Sequence, residues 1–71
     1  MGRKTTSEMT ILARAGASLS IDASEKTTSE IISIARSIQD KRILIVRNAN
    51  VKTTSELNLI AQNASNILLE L

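Results

Sequence analysis

The pentapeptide Lys-Thr-Thr-Ser-Glu occurs three times in this 71-residue chain, at Lys4–Glu8, Lys26–Glu30 and Lys52–Glu56. A recurrence of this kind indicates one supersecondary unit that is used several times. The copies predict a single domain built from repeats over residues 4–25, 26–51 and 52–71. Any fold of the chain must therefore accommodate three equivalent units.

Each pentapeptide predicts the start of a helix. Its first Thr is followed three residues later by Glu, which is the pattern of a capping box. An aliphatic residue, a second aliphatic residue and an Ala then recur on one helical face, as Met9, Leu12 and Ala13 do in the first copy. We expect helices near residues 5–17, 27–40 and 53–65. The Lys and hydroxyl groups at these helix starts could also attract anions, but without a glycine-rich loop capping is the favoured interpretation.

After each predicted helix the hydrophobic period changes to two. The segments are SLSIDAS at 18–24, RILIVRN at 42–48 and NILLEL at 66–71, and all three are typical of strands. The order αβαβαβ predicts right-handed crossovers and a parallel sheet. We therefore expect an α/β fold in which three αβ repeats form a short two-layer solenoid, with a parallel three-stranded sheet of order 1-2-3 and helices on one face. The layout resembles leucine-rich repeats, although the LxxLxLxxN spacing is absent.

The composition argues against chemistry. The chain has no His, Cys, Pro or aromatic residue, so the usual general base and the strongest nucleophile are absent. We expect no enzyme activity, no metal, no cofactor and no small-molecule substrate. The N-terminal sequence is polar and the longest aliphatic run is Ile43–Val46, which predicts a cytoplasmic protein without a membrane span.

A two-layer fold leaves one sheet face and two sheet edges uncovered, which predicts association with a second copy, most simply as a homodimer. The expected routes are packing of the open faces, with Leu44, Val46 and Leu68 at the centre, or pairing of the third strand with its own copy. The expected interface comprises Leu44, Val46, Ile67, Leu68, Leu69, Glu70 and Leu71. Another protein could serve as the partner in place of a second copy. The alternative is a monomer that tolerates a few surface aliphatic residues.

A second functional hypothesis is nucleic-acid binding through basic residues around the second strand. The candidate contacts are Arg14, Arg36, Lys41, Arg42, Arg47 and Lys52. The net charge is only +2, acidic residues are interspersed, and no aromatic side chain can stack on a base. Nucleic-acid binding is therefore the less favoured hypothesis, and a second copy of the chain is the preferred partner.

Overall fold

The computed structural model describes residues 5–64 and 66–71, so Lys4 of the first pentapeptide lies outside it. The regular elements are α1 (Thr6–Arg14), β1 (Leu19–Asp22), α2 (Thr28–Ser37), β2 (Leu44–Arg47), α3 (Thr54–Gln62) and β3 (Ile67–Leu69). The predicted αβαβαβ order is confirmed, and the helices end about three residues earlier than the pattern suggested. Two 3-10 turns, Ala23–Glu25 and Ala49–Val51, follow the first two strands and were not predicted.

The repeated pentapeptide caps each helix, as predicted. In the second copy the hydroxyl of Thr27 accepts a hydrogen bond from the amide of Glu30 at 3.2 Å. The Glu30 carboxylate in turn accepts from the amide of Thr27 at 2.8 Å. The same reciprocal pair is present at the starts of α1 and α3. Each cap contributes about 1 kcal/mol to stability, because it satisfies amides that a helix end leaves unpaired.

The three strands form a parallel sheet in the order β1-β2-β3. Leu19 lies opposite Leu44 in the sheet, and Leu44 lies opposite Ile67. The buried strand residues Ile21, Leu44 and Val46 belong to one set of alternating positions, and they join Ile31, Ile34 and Ile60 of the helices in one core. The helices therefore cover one face of the sheet, while the described residues leave the opposite face open.

The expectation that Leu44 and Val46 lie on the open face was wrong. Both side chains are fully buried beneath the helices. Their register opposite Leu19 and Ile21 gives the physical reason, because paired residues of a sheet share a face. The open face of β2 instead carries Ile45.

The units are joined by repeated hydrogen bonds as well as by apolar packing. The hydroxyl of Thr6 donates to Oε2 of Glu30 at 3.0 Å, and the hydroxyl of Thr28 donates to Oε2 of Glu56 at 3.2 Å. In each case the second Thr of one pentapeptide bonds the Glu of the next. The pentapeptide therefore both starts a helix and links it to its neighbour.

Candidate functional site

The open sheet face carries an aliphatic strip across β2 and β3. Ile45 is half-buried and lies opposite Leu68, whose side chain is 46% exposed. Ile43, which precedes β2 and shares the side of Ile45, is 38% exposed. On β1 the residue opposite Ile45 is Ser20, so the strip ends there. We call Ile43, Ile45 and Leu68 the open-face strip.

Polar side chains surround the strip at the C-terminal ends of the strands. Asp22 lies opposite Arg47 in the sheet, and its Oδ2 accepts a hydrogen bond from Nδ2 of Asn48 at 3.0 Å. Its Oδ1 accepts from the hydroxyl and the amide of Ser24, at 2.6 and 2.9 Å. These Ser24 bonds, followed by the Asn48 bond and the Arg47 charge, lower the pKa of Asp22 to about 2. The carboxylate is therefore a firmly ionised part of the rim, next to a cation.

The outer edge of β3 offers unpaired backbone groups. The amide of Glu70 donates to the Val46 carbonyl at 2.9 Å, and the Glu70 carbonyl accepts from Ala49 at 2.9 Å. Glu70 thus directs its backbone toward β2. Because successive residues of a strand direct these groups to opposite edges, the N–H and C=O of Ile67 and Leu69 point outward. No strand of the described chain pairs with that edge.

The structure divides the predicted interface residues into three groups. Leu68, Glu70 and Leu71 are exposed, whereas Ile67 and Leu69 are half-buried against the core with their backbone at the open edge. Leu44 and Val46 belong to the core. The prediction missed Ile43 and Ile45. Only the strand register could have revealed them, because every position of β2 up to Val46 is apolar.

The predicted nucleic-acid contacts do not form one surface. Arg14 and Arg36 line a groove between α1 and α2, together with Asp40. Lys41 and Arg42 lie in the loop that leads into β2, at the same end of the sheet as the C-termini of the helices.

The other two basic residues lie at the opposite end of the sheet. Arg47 ends β2 beside the open face, and Lys52 precedes α3. The Lys52 ammonium donates to the Lys26 carbonyl at 2.9 Å, so this residue links two units. The six candidates are therefore split between two ends of the molecule.

Residues 5–64 and 66–71 contain no cluster of three His, Cys, Asp or Glu side chains that could hold a metal. Within the same residues, none of the helices has the length and apolar character needed to cross a bilayer. No family model, curated protein or solved structure matches this chain. Its surfaces are therefore the basis for a functional hypothesis.

Proposed function

We propose that this chain is a self-associating αβ-repeat module, which acts by assembly and carries no catalytic chemistry of its own. The observation that carries the proposal is the open-face strip, with three aliphatic side chains on a sheet face that the described chain leaves uncovered. Apolar patches with polar rims are typical of association surfaces. The uncovered edge of β3 adds backbone groups that a second chain can pair.

A second copy of the chain is the occupant that the charges favour. The rim carries Asp22 and Glu70 together with Arg47. Two copies can therefore place a cation of one opposite a carboxylate of the other. A 71-residue chain also has a small core, so covering exposed Ile and Leu side chains yields a stability that it cannot gain alone.

Equilibrium sedimentation over a dilution series tests the proposal. We expect a mass above the 7.7 kDa of one chain at high concentration, falling toward that value on dilution.

The double substitution Ile45→Glu with Leu68→Glu should lower the association constant by at least tenfold if the open faces pack together, because it buries two carboxylates per copy. Ile11→Glu is the matched control, since Ile11 is 64% exposed on α1, away from the sheet. A single mass of 7.7 kDa at every concentration would contradict self-association.

The alternative function, nucleic-acid binding through backbone phosphates, rests on Arg14, Arg36, Lys41 and Arg42 at one end of the sheet. It has weaker support, because Asp40 shares the groove of the two arginines and Lys52 is engaged within the fold. A titration with mixed oligonucleotides at low salt distinguishes the two functions. Binding that weakens steeply as salt is raised would favour nucleic acid, and no binding at low salt would remove this alternative.

A further inference from the structure

We infer that copies of this chain associate head to tail, with the third unit of one copy packed against the first unit of the next. The inference rests on the proposed self-association, and it assigns the contact to the first and third units of the chain rather than to packing of the open-face strips. It starts from the contacts between units inside the chain. There are two such junctions, α1–β1 with α2–β2 and α2–β2 with α3–β3, and both use the same parallel pairing and the same Thr-to-Glu hydrogen bond.

The side of each helix that faces the preceding unit is marked by the Glu that accepts this bond. Residues four apart share a helical face, so Ile34 lies on the side of Glu30, and Ile60 lies on the side of Glu56. Ile34 and Ile60 are fully buried. Leu12 stands at the same position of the first unit, where none of the described residues supplies a preceding helix, and it is 39% exposed.

The side that faces the following unit shows the reverse pattern. Ala13 and Ala35 are buried in the first and second units, each of which has a following neighbour. Ala61, at the same position of the third unit, is exposed. The hydroxyl of Thr54, which corresponds to the donors Thr6 and Thr28, makes no hydrogen bond to the described residues. The first unit therefore exposes the side that would contact a preceding unit, and the third unit exposes the side that would contact a following unit.

The first unit also presents a groove that suits another apolar edge. This open groove of about 430 Å³ runs between α1 and the outer edge of β1. Its apolar lining is Met9, Leu12, Leu19 and Ile21, and the rest of its lining is polar or charged: Ser18, Ser20, Asp22, Glu25, Lys26 and Arg47. The outer side of the third unit offers the half-buried Ile67 and Leu69 and the exposed Leu71. Packing one against the other would extend the core from copy to copy.

The backbone of the two outer edges matches as well. The amide of Leu19 donates to the Ile43 carbonyl at 3.0 Å, so Leu19 faces β2 and Ser20 directs its N–H and C=O outward. Continuing the internal register places Ile67 opposite Leu19 of the next copy. A two-fold pair of β3 strands could not repeat this geometry, because it would make the strands antiparallel or put the helices on opposite faces.

Such an interface joins two different surfaces and leaves one of each exposed at the ends, so it does not close unless the copies complete a ring. The first-unit face of one copy meets the third-unit face of the next. This asymmetry yields a test that a two-fold dimer cannot pass. A copy blocked at its first unit can still associate, but only with a copy whose first unit is intact.

The test uses Leu12→Glu to block the first-unit face and Ala61→Glu to block the third-unit face. Both positions are exposed in the single chain, and circular dichroism checks that each variant keeps its helices. We expect each variant alone to sediment at 7.7 kDa at concentrations where the unsubstituted chain forms a larger species. An equimolar mixture should form a one-to-one dimer at twice that mass, because one intact face of each kind remains. Ser29→Glu, at an exposed position of the middle unit, should associate like the unsubstituted chain.

The outcomes separate this inference from the proposed function. If the unsubstituted chain stays at 7.7 kDa at every concentration, both the proposed function and the head-to-tail inference are overturned. If the unsubstituted chain associates, the head-to-tail geometry alone is overturned when either variant associates normally or when the mixture stays monomeric. Should Ala61→Glu fail to fold, Thr54→Glu blocks the same face from the exposed start of α3, because it places a second carboxylate opposite Glu8 of the next copy. The same mixture is then required to form the dimer.

Discussion

Thr6 donates its hydroxyl hydrogen bond to Oε2 of Glu30 at 3.0 Å, across the junction between α1 and α2. Glu30 uses its other oxygen to accept from the amide of Thr27, so one carboxylate caps its own helix and holds the preceding one. The Thr27 amide bond, followed by the Thr6 bond, lowers the pKa of Glu30 below its ordinary value. Each copy of the pentapeptide therefore caps its own helix and also forms a hydrogen bond to a neighbouring unit.

We expect Thr6→Val to lower the urea midpoint of unfolding, because it removes this bond while keeping the shape of the side chain. Thr54→Val is the matched control. It makes the same change at the same helix position in the unit whose hydroxyl bonds none of the described residues. At protein concentrations low enough to keep the chain monomeric, the control should leave the midpoint unchanged. Equal losses in the two variants would show that the cross-unit bond contributes nothing to stability.

The assignment of β2 to its two faces leads to a prediction about stability. Leu44 is fully buried, whereas Leu68 is 46% exposed. Leu44→Ala should therefore reduce the free energy of unfolding by roughly 2–5 kcal/mol, because it leaves a cavity in the core. Leu68→Ala makes the identical change on the open face and should cost less than about 1 kcal/mol in the monomer. Chemical denaturation at low protein concentration measures both. A larger cost at Leu68 would contradict the register.

The sequence was sufficient for the helix starts and for the strand order. The capping boxes are local, since Thr27 and Glu30 are three residues apart and complete the motif by themselves. The order β1-β2-β3 follows from connections that each contain a helix. These features depend on neighbours in the chain, which the sequence shows directly.

The faces of β2 could not be predicted in this way, because Ile43, Leu44, Ile45 and Val46 are all apolar and alternation carries no signal there. Aligning β1 and β2 by their distance from the following pentapeptide also gives the wrong face for β2, because the second unit has one extra residue there. Ile21 precedes Ala23 by two residues, whereas Val46 precedes Ala49 by three. The exposure of Leu12 was missed for another reason, because the helical pattern places it with Ile34 and Ile60, which are buried only where a preceding helix covers them. Both features are set by contacts between distant residues.

The hydrogen bonds of Asp22 predict how stability changes with pH. The pKa of this group falls from an ordinary value of 3.8 to about 2 in the folded chain. The folded state therefore binds the proton less readily than the unfolded state. The resulting stability is fully present above pH 3.8 and is lost as the pH falls toward 2. Glu30 and Glu56 change in the same direction, since their pKa values are also lowered.

We therefore expect the urea midpoint to fall as the pH is lowered from about 4 to about 2, and Asp22→Asn to flatten part of this fall. Ser24→Ala removes the strongest cause of the low pKa, the hydroxyl bond, and leaves the second, the bond from the backbone amide. It should raise the pKa of Asp22 toward 3.8, which a carboxyl carbon NMR titration measures directly. A midpoint that stays level or rises on acidification would contradict the assignment.

Asn48 explains how β2 keeps its register despite the extra residue. Its φ of 55° and ψ of 36° are left-handed, a conformation that Asn tolerates and β-branched residues resist. This single residue absorbs the insertion, so that Ala49 is buried as Ala23 is. We expect Asn48→Val to cost about 1–2 kcal/mol in the free energy of unfolding. Asn48→Gly should cost less, because Gly keeps the conformation and loses only the bond to Asp22.

Asn50→Val, two residues away at an exposed position, is the control and should be nearly neutral. Chemical denaturation of the three variants checks the order, and a Val at position 48 that is tolerated as well as Gly would show that the left-handed residue does not set the register.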